Sequence, residues 1–214
     1  MSCPICNRRP AKRFCPAKGE KICEVCCGRE REVTIDCPPD CRYLLAARRH
    51  QREHRKPLPR EQAPYPDLEF PESFVYDRWP VVGGLAGVIL AFHAEHRELN
   101  DRAAVVALEA LAETFRTLTS GIYYERQPDA PVSRALYGEL VRFIEEARKD
   151  EATRGVSQLK DPDVLKLLVV FLRIAKIESD GRPLSRGFLD FLRTKFVPQG
   201  EPAGAKEESR IIIP

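Results

Sequence analysis

Residues 3–41 read CPICNRRPAKRFCPAKGEKICEVCCGREREVTIDCPPDC and contain all eight cysteines of this 214-residue chain. Two close cysteine pairs separated by a loop are the ligand pattern of tetrahedral zinc, because each pair supplies two thiolates from one tight turn. The stretch shows no hydrophobic periodicity, and a fold below about 40 residues generally needs metal, disulfides or a partner. The spacing therefore predicts a two-zinc module that folds on metal binding. Its eight predicted ligands are Cys3, Cys6, Cys15, Cys23, Cys26, Cys27, Cys37 and Cys41.

A disulfide framework and an iron–sulfur cluster are the alternatives to zinc. Disulfides predict a secreted protein, yet Met1 and Ser2 run directly into the first ligand pair without the apolar core of a signal peptide. Cys-x2-Cys pairs in a cytosolic chain are typical of metal or redox sites. We therefore expect a cytoplasmic protein with two Zn2+ ions. Catalytic zinc keeps one position open for water, so two closed all-thiolate sites favour a structural role.

Three motifs stand out within the stretch: Cys3-Pro4-Ile5-Cys6, Lys12-Arg13-Phe14-Cys15-Pro16 and Lys21-Ile22-Cys23-Glu24-Val25-Cys26-Cys27. Together they resemble the HIT-type and MYND-type cross-braced zinc fingers. In those fingers the first and third ligand pairs share one metal, and the second and fourth share the other. The resemblance covers residues 1–41 and implies a scaffold for protein or RNA contacts rather than a catalytic metal.

The resemblance also implies how the cysteines divide between the two ions. The first site is formed by Cys3, Cys6, Cys23 and either Cys26 or Cys27, and the second by Cys15, Cys37, Cys41 and the other member of that doublet. The chain departs from the family at Lys18, where a cysteine of the second pair is expected. The Cys26-Cys27 doublet is expected to supply the replacement, and its assignment stays open.

Charge is distributed unevenly along the chain. Residues 1–60 carry 15 Lys and Arg against 7 Asp and Glu, whereas residues 61–214 carry 20 against 25. Eight thiolates binding two Zn2+ ions would reduce the positive excess of the first part by about half. The metallated N-terminal part is then only mildly basic, which weakens the case for nucleic acid as a partner.

A helix is predicted from residue 42 to residue 56, where Pro57 stops it. The far half of this helix is basic, and Lys and Arg can bind phosphates by releasing counterions. Residues 42–60 are thus the candidate nucleic-acid site, and a solvated helix leading into a linker is the simpler interpretation. The candidate phosphate contacts are Arg48, Arg49, Arg52, Arg55 and Lys56.

Four histidines are the remaining metal-ligand candidates. His50 and His54 stand at i,i+4, a spacing that can bind metal, but the cysteines already satisfy two zinc ions. His93 and His96 fall near a predicted helix end without the repeated carboxylates of a metal bundle. We expect all four to be ordinary residues outside any metal site.

Proline divides the rest of the chain. Five prolines between residues 57 and 71 predict an extended, semi-rigid connector, with Tyr65, Leu68 and Phe70 anchoring it on the next domain. The predicted organisation is a zinc module with its basic helix at 1–56, the connector at 57–71, a helical domain at 72–197 and a flexible tail at 198–214.

The helical domain is predicted to be a bundle of about five helices, so the chain is mainly α. The segment from residue 161 to about residue 177 is apolar on nearly every side, which is typical of a central helix. Gly83 and Gly87 stand at i,i+4 and are expected to allow close helix contact. The uncharged run at 79–94 is shorter than the roughly 20 apolar residues of a bilayer span, so it predicts a buried helix and no membrane partner.

No phosphate-binding glycine loop, nucleophile elbow or dinucleotide motif occurs in the helical domain. The sequence therefore favours a non-enzymatic zinc-binding adaptor that recognises a protein partner. A nucleic-acid-binding protein that uses residues 42–60 is the alternative. A second alternative is an enzyme whose site in the helical domain follows no recognisable motif.

Overall fold

The computed structural model describes residues 1–121, 124–155 and 158–196, and the predicted tail at 198–214 lies outside them. The mainly α prediction is confirmed, since these residues form eight α-helices and two short strands. In chain order they are β1 (Arg13–Cys15), β2 (Glu20–Ile22), α1 (Glu24–Glu30), α2 (Arg42–Glu53), α3 (Glu72–Asp77), α4 (Trp79–Glu95), α5 (Asp101–Thr119), α6 (Pro131–Arg154), α7 (Asp161–Glu178) and α8 (Gly187–Phe196).

The cysteine-rich part is built from short elements. β1 and β2 form an antiparallel hairpin whose turn passes through Gly19, with a φ of +67° that favours glycine. Ile22 and Ile35 are buried among the cysteines and form a small core of their own. Two apolar side chains and two three-residue strands offer little hydrophobic stabilisation, so most of the buried side chains in this part are cysteines.

The bundle is centred on α5 and α7, with α4, α6 and α8 packed around them. Proline occupies the first turn of α4, α6 and α7, where its missing N–H costs no helical hydrogen bond. α7 is buried over most of its circumference, as its apolar sequence predicts. None of the described helices is both long enough and apolar enough to cross a bilayer.

Two neighbouring polar residues begin α5 and have different roles. The Asn100 side chain accepts a hydrogen bond from the N–H of Ala103 at 2.9 Å, which caps α5 itself. Asp101 is buried, and its carboxylate accepts the N–H groups of Phe188 and Leu189 at 3.1 and 3.2 Å. Asp101 therefore caps α8 from another helix.

The close contact between α4 and α6 is made by a different glycine from those predicted. A Cβ atom added at Gly83 or Gly87 would meet nothing within 4 Å. A Cβ at Gly84 would lie 2.1 Å from Cζ of Phe143 on α6, well inside van der Waals contact. The expectation for Gly83 and Gly87 was wrong, because the i,i+4 spacing of two glycines does not tell which face of the helix meets a neighbour.

The proline-rich connector is fastened to the bundle rather than spanning open solvent. Tyr65, Leu68 and Phe70 pack against the bundle core. The Arg173 guanidinium on α7 donates hydrogen bonds to the carbonyls of Pro64, Tyr65 and Leu68 at 3.1, 2.8 and 2.8 Å. A single guanidinium on α7 thus satisfies three carbonyls of an extended segment.

Candidate metal centre

Four of the predicted ligands meet in one buried cluster. The sulfur atoms of Cys3, Cys6, Cys23 and Cys26 all lie within 4.8 Å of one another, and the Cys6 and Cys23 sulfurs are 3.9 Å apart. Four sulfurs held by a tetrahedral ion with bonds of about 2.3 Å are about 3.8 Å apart. The cluster therefore fits a tetrahedral thiolate-bound ion, and all eight cysteines are free rather than joined in disulfides.

Local backbone structure brings these thiols together. The N–H of Asn7 donates to the carbonyl of Cys3 at 2.7 Å, which closes a tight turn between the first two ligands. Cys23 is the N-cap of α1, and its sulfur accepts the N–H of Cys26 at 3.4 Å. In each Cys-x2-Cys pair, a local hydrogen bond closes the turn that holds the two thiols together.

The thiols of the cluster differ in acidity. Backbone N–H groups of Arg8 and Arg9 lower the pKa of Cys6 to about 6. Burial and hydrogen bonding to the neighbouring thiols of Cys23, Cys6 and Cys3 raise the pKa of Cys26 to about 12. Four adjacent thiolates repel one another, so full deprotonation of the cluster requires a cation among them.

The structure assigns Cys26, and not Cys27, to this cluster. Consecutive helical residues point about 100° apart, so the two thiols of the doublet leave α1 in different directions. Cys27 is buried outside the cluster. The cross-brace resemblance had left this choice open.

The second predicted quartet is less compact. Burial, together with charges on Cys41, Glu32 and Cys15, raises the pKa of Cys37 to about 11. Among the described residues, however, the sulfurs of Cys15, Cys27, Cys37 and Cys41 do not all lie within 4.8 Å of one another.

The basic cluster on α2 and in the residues just after it faces carboxylates of the same chain. Arg48 donates to Glu32 at 2.7 Å and also pairs with Asp190 on α8. Arg52 and Arg55 lie 3.3 and 2.9 Å from the carboxylate of Glu178 at the end of α7. The other two candidate phosphate contacts, Arg49 and Lys56, are exposed and form no salt bridge within the described part of the chain.

A loop between α7 and α8 completes the junction with the cysteine module. The Arg182 guanidinium donates to the carbonyls of Gly28 and Arg31 at 3.0 and 2.5 Å. The N–H of Leu184 donates to the carbonyl of Glu32 at 2.9 Å, and Arg186 pairs with Asp36. Sequence reasoning missed these contacts, because partners about 150 positions apart leave no local signal.

The histidines fall into two groups. His50, Glu53 and His54 are exposed on α2 with ligand atoms within 4.8 Å of one another. His96 stacks on Phe92 with ring centroids 4.1 Å apart, and neither His93 nor His96 belongs to a metal-sized cluster of the described residues.

One cleft of about 580 Å3 lies between the connector and α5. Its polar lining includes Tyr65, Glu109, Glu113 and Lys176. Burial raises the pKa of Glu109 above its ordinary value, so Glu109 is the carboxylate of this cleft to consider for proton transfer.

No protein-family model, curated protein or solved structure matches the chain. The interpretation of the cysteine cluster therefore stands on its geometry.

Proposed function

We propose that this chain is a zinc-binding adaptor in which the cysteine module and the helical bundle form one rigid scaffold for a protein partner. The observation that carries the proposal is the buried cluster of Cys3, Cys6, Cys23 and Cys26. Four thiolates complete a tetrahedral shell and leave no position for a substrate or a catalytic water. A metal held in this way contributes folding energy to the module rather than chemistry.

Zinc is the proposed ion at this cluster, because four thiolates select zinc or iron–sulfur chemistry and the sulfur separation fits a single tetrahedral ion. A second zinc bound by Cys15, Cys27, Cys37 and Cys41 is part of the proposal. Its support is the burial of Cys15, Cys27 and Cys41 outside the first cluster, and the charges on Cys41 and Cys15 that help to raise the pKa of Cys37. The resulting pairing of ligands is that of a HIT-type or MYND-type cross-brace.

The ion pairs of the basic helix favour a protein partner over nucleic acid. Arg48, Arg52 and Arg55 are engaged by carboxylates, so phosphate binding would have to break internal ion pairs. The module meanwhile leaves the apolar side chains of Phe14, Val25 and Leu45 between 44% and 52% exposed. Apolar side chains of this kind are what a protein interface covers.

The metal content tests the two-site part of the proposal. Native mass spectrometry of the reduced chain, after removal of exchangeable metal, should find two Zn2+ ions. The Cys6→Ser variant should lose the first ion, and Cys37→Ser should lose the second. A chain that binds a single ion, retained in Cys37→Ser, would contradict the second site while leaving the first intact.

Affinity capture from the native host, with and without nuclease, tests the adaptor role. We expect a captured protein that survives nuclease, depends weakly on salt and is lost with Cys6→Ser. The matched control is Arg49→Gln/Lys56→Gln, which removes the two cations of the basic cluster that form no salt bridge with a described residue and should leave capture intact. Capture that nuclease abolishes, or that falls log-linearly with salt and is lost in this control, would support the nucleic-acid alternative instead.

The enzyme alternative is tied to the cleft beside Glu109. Glu109 is the candidate base of such an enzyme, because burial raises its pKa and it lines that cleft together with Glu113 and Lys176. If Glu109→Gln lost partner capture, or lost a turnover detected for the wild type, the functional site would lie in the bundle.

A further inference from the structure

The last turn of α2 and its C-cap residue carry three potential metal ligands that are separate from the cysteines. His50, Glu53 and His54 occupy positions i, i+3 and i+4, which share one face of a helix. All three are exposed, and one ligand atom from each lies within 4.8 Å of the other two. The imidazole rings of His50 and His54 have centroids 4.0 Å apart. No rearrangement beyond side-chain rotation is needed for one ion to reach all three.

A backbone hydrogen bond prepares one of the imidazoles for coordination. Nδ1 of His54 lies 2.9 Å from the carbonyl oxygen of His50. A carbonyl only accepts, so Nδ1 carries the proton and Nε2 is left with its lone pair. Metal-bound histidines commonly donate their second nitrogen to a carbonyl or carboxylate in this way, which fixes the ring orientation.

The position at the helix end also favours a cation. α2 ends at Glu53, and the unsatisfied carbonyls of a last helical turn carry partial negative charge. Arg52 and Arg55, the nearest arginines along the chain, are paired with Glu178. Arg49 and Lys56 stand one turn from Glu53 on either side, and their charge opposes a bound cation.

We propose that His50, Glu53 and His54 form a third metal site of the chain, specific for a divalent ion of the zinc class. Two imidazoles and one carboxylate suit Zn2+, Ni2+ or Cu2+, whereas Mg2+ and Ca2+ select oxygen ligands. Three protein ligands leave a position of the tetrahedral shell for water, unlike the closed cysteine cluster. This site therefore binds an exchangeable ion, and it shares no residue with the proposed function.

Zn2+ titration of the full-length chain, already saturated with zinc at its cysteines, tests the site. We expect one further equivalent in calorimetry. In long-range 1H–15N spectra, the imidazole signals of His50 and His54 should shift while those of His93 and His96 stay in place. His54→Ala should abolish the further equivalent, and Glu53→Gln should weaken it at least about tenfold, the lower end of the loss when only an outer-shell partner is removed.

Two variants serve as controls for charge and for histidine content. His96→Gln removes another partly exposed histidine with a nearby carboxylate and should leave the further equivalent unchanged. Arg49→Gln/Lys56→Gln should tighten binding, because the opposing charge is removed. The site is refuted if the wild-type chain takes up no zinc beyond its cysteines, or if His50→Ala and His54→Ala retain that uptake.

Discussion

Single atoms decide how closely α4 and α6 approach, and Gly84 is the clearest case. Substituting alanine for glycine inside a helix normally stabilises it by about 1 kcal/mol. At Gly87 the added Cβ enters open space, so that gain is fully available. At Gly84 the same atom would overlap the Phe143 ring, which must move out of its packed position.

We therefore expect Gly87→Ala to raise the free energy of unfolding by up to about 1 kcal/mol and Gly84→Ala to lower it by about 1–3 kcal/mol, the usual cost of overpacking. Urea denaturation of the two variants under identical conditions makes the comparison. An equal increase in the free energy of unfolding for both variants would show that the Phe143 ring can move aside without destabilising the fold.

Arg48 links the cysteine module to the bundle through Glu32 and Asp190. Its side chain is 12% exposed and faces Glu32, whose side chain is 4% exposed. Removing one member of a buried ion pair leaves the other charge without compensation. Arg48→Gln should therefore lower the free energy of unfolding by about 3 kcal/mol, as measured by chemical denaturation.

The neighbouring Arg49→Gln provides the matched control, because Arg49 is exposed on the same helix. Surface substitutions of this kind usually change stability by less than about 0.5 kcal/mol. A similar loss in both variants would mean that Arg48 contributes only its helix propensity and net charge.

Among the elements, α2 has the most unusual position, because it links the cysteine module to two helices of the bundle. Its middle pairs with Glu32 of the module and with α8, and its end pairs with Glu178 of α7. The sequence of α2 is that of a solvated basic helix, but in the structure α2 connects the two cores through ion pairs.

The contact of α2 with Glu178 predicts a pH dependence. Burial raises the pKa of Glu178, but the hydrogen bond and charge of Arg55 and the charge of Arg52 outweigh it and lower that pKa below its ordinary value of 4.5. A carboxyl group with a lowered folded-state pKa stabilises the fold above its unfolded-state pKa, and this contribution is lost as the pH falls through the folded-state value. Glu178→Gln should thus be less stable than the wild type at pH 7, with the difference vanishing in acid.

Glu109→Gln is the control with the opposite sign. Burial alone raises the pKa of Glu109, so its charged form destabilises the fold as the pH rises above the ordinary value. This variant should be more stable than the wild type at neutral pH and equal to it in acid. Denaturation curves should be measured across the acidic range. If the stability difference between Glu178→Gln and the wild type did not change with pH, the ion pairs with Arg52 and Arg55 would not be its cause.

At the scale of the whole molecule, the described residues form two cores joined by polar contacts. One core is apolar and lies in the bundle, and the other consists of the cysteines with Ile22 and Ile35. The two are held together by ion pairs and by backbone hydrogen bonds from the loop between α7 and α8. Loss of metal should therefore unfold one core and weaken the other without destroying it.

Chelation tests this separation. α1 and α2 contribute 7 and 12 helical residues, whereas α6 alone contributes 24, so a chelator should remove only a minor part of the far-UV helical signal. The remaining signal should still melt cooperatively, at a lower temperature because the junction is lost. Complete loss of helical signal on chelation would mean that the bundle cannot fold without the module.

Several features of this protein are already encoded by residues close together in the sequence. Helix class, the prolines that begin α4, α6 and α7, the central place of α7 and the Cys-x2-Cys turns all depend on spacings of a few positions. Such spacings act through local backbone geometry and hydrophobic periodicity, so they can be interpreted without knowing the fold. They predicted the mainly α architecture, and they identified as metal ligands a set of eight cysteines that includes the four of the observed cluster.

Other features depended on which surfaces meet across the fold. The division of the Cys26-Cys27 doublet, the choice of Gly84 over Gly83 and Gly87, and the pairing of α2 arginines with carboxylates were settled only in three dimensions. Arg55 and Glu178 lie 123 positions apart, and nothing near either residue specifies the other. Contacts of this kind arise when packed cores bring distant faces together, and charge then pairs with whatever charge the packing places beside it.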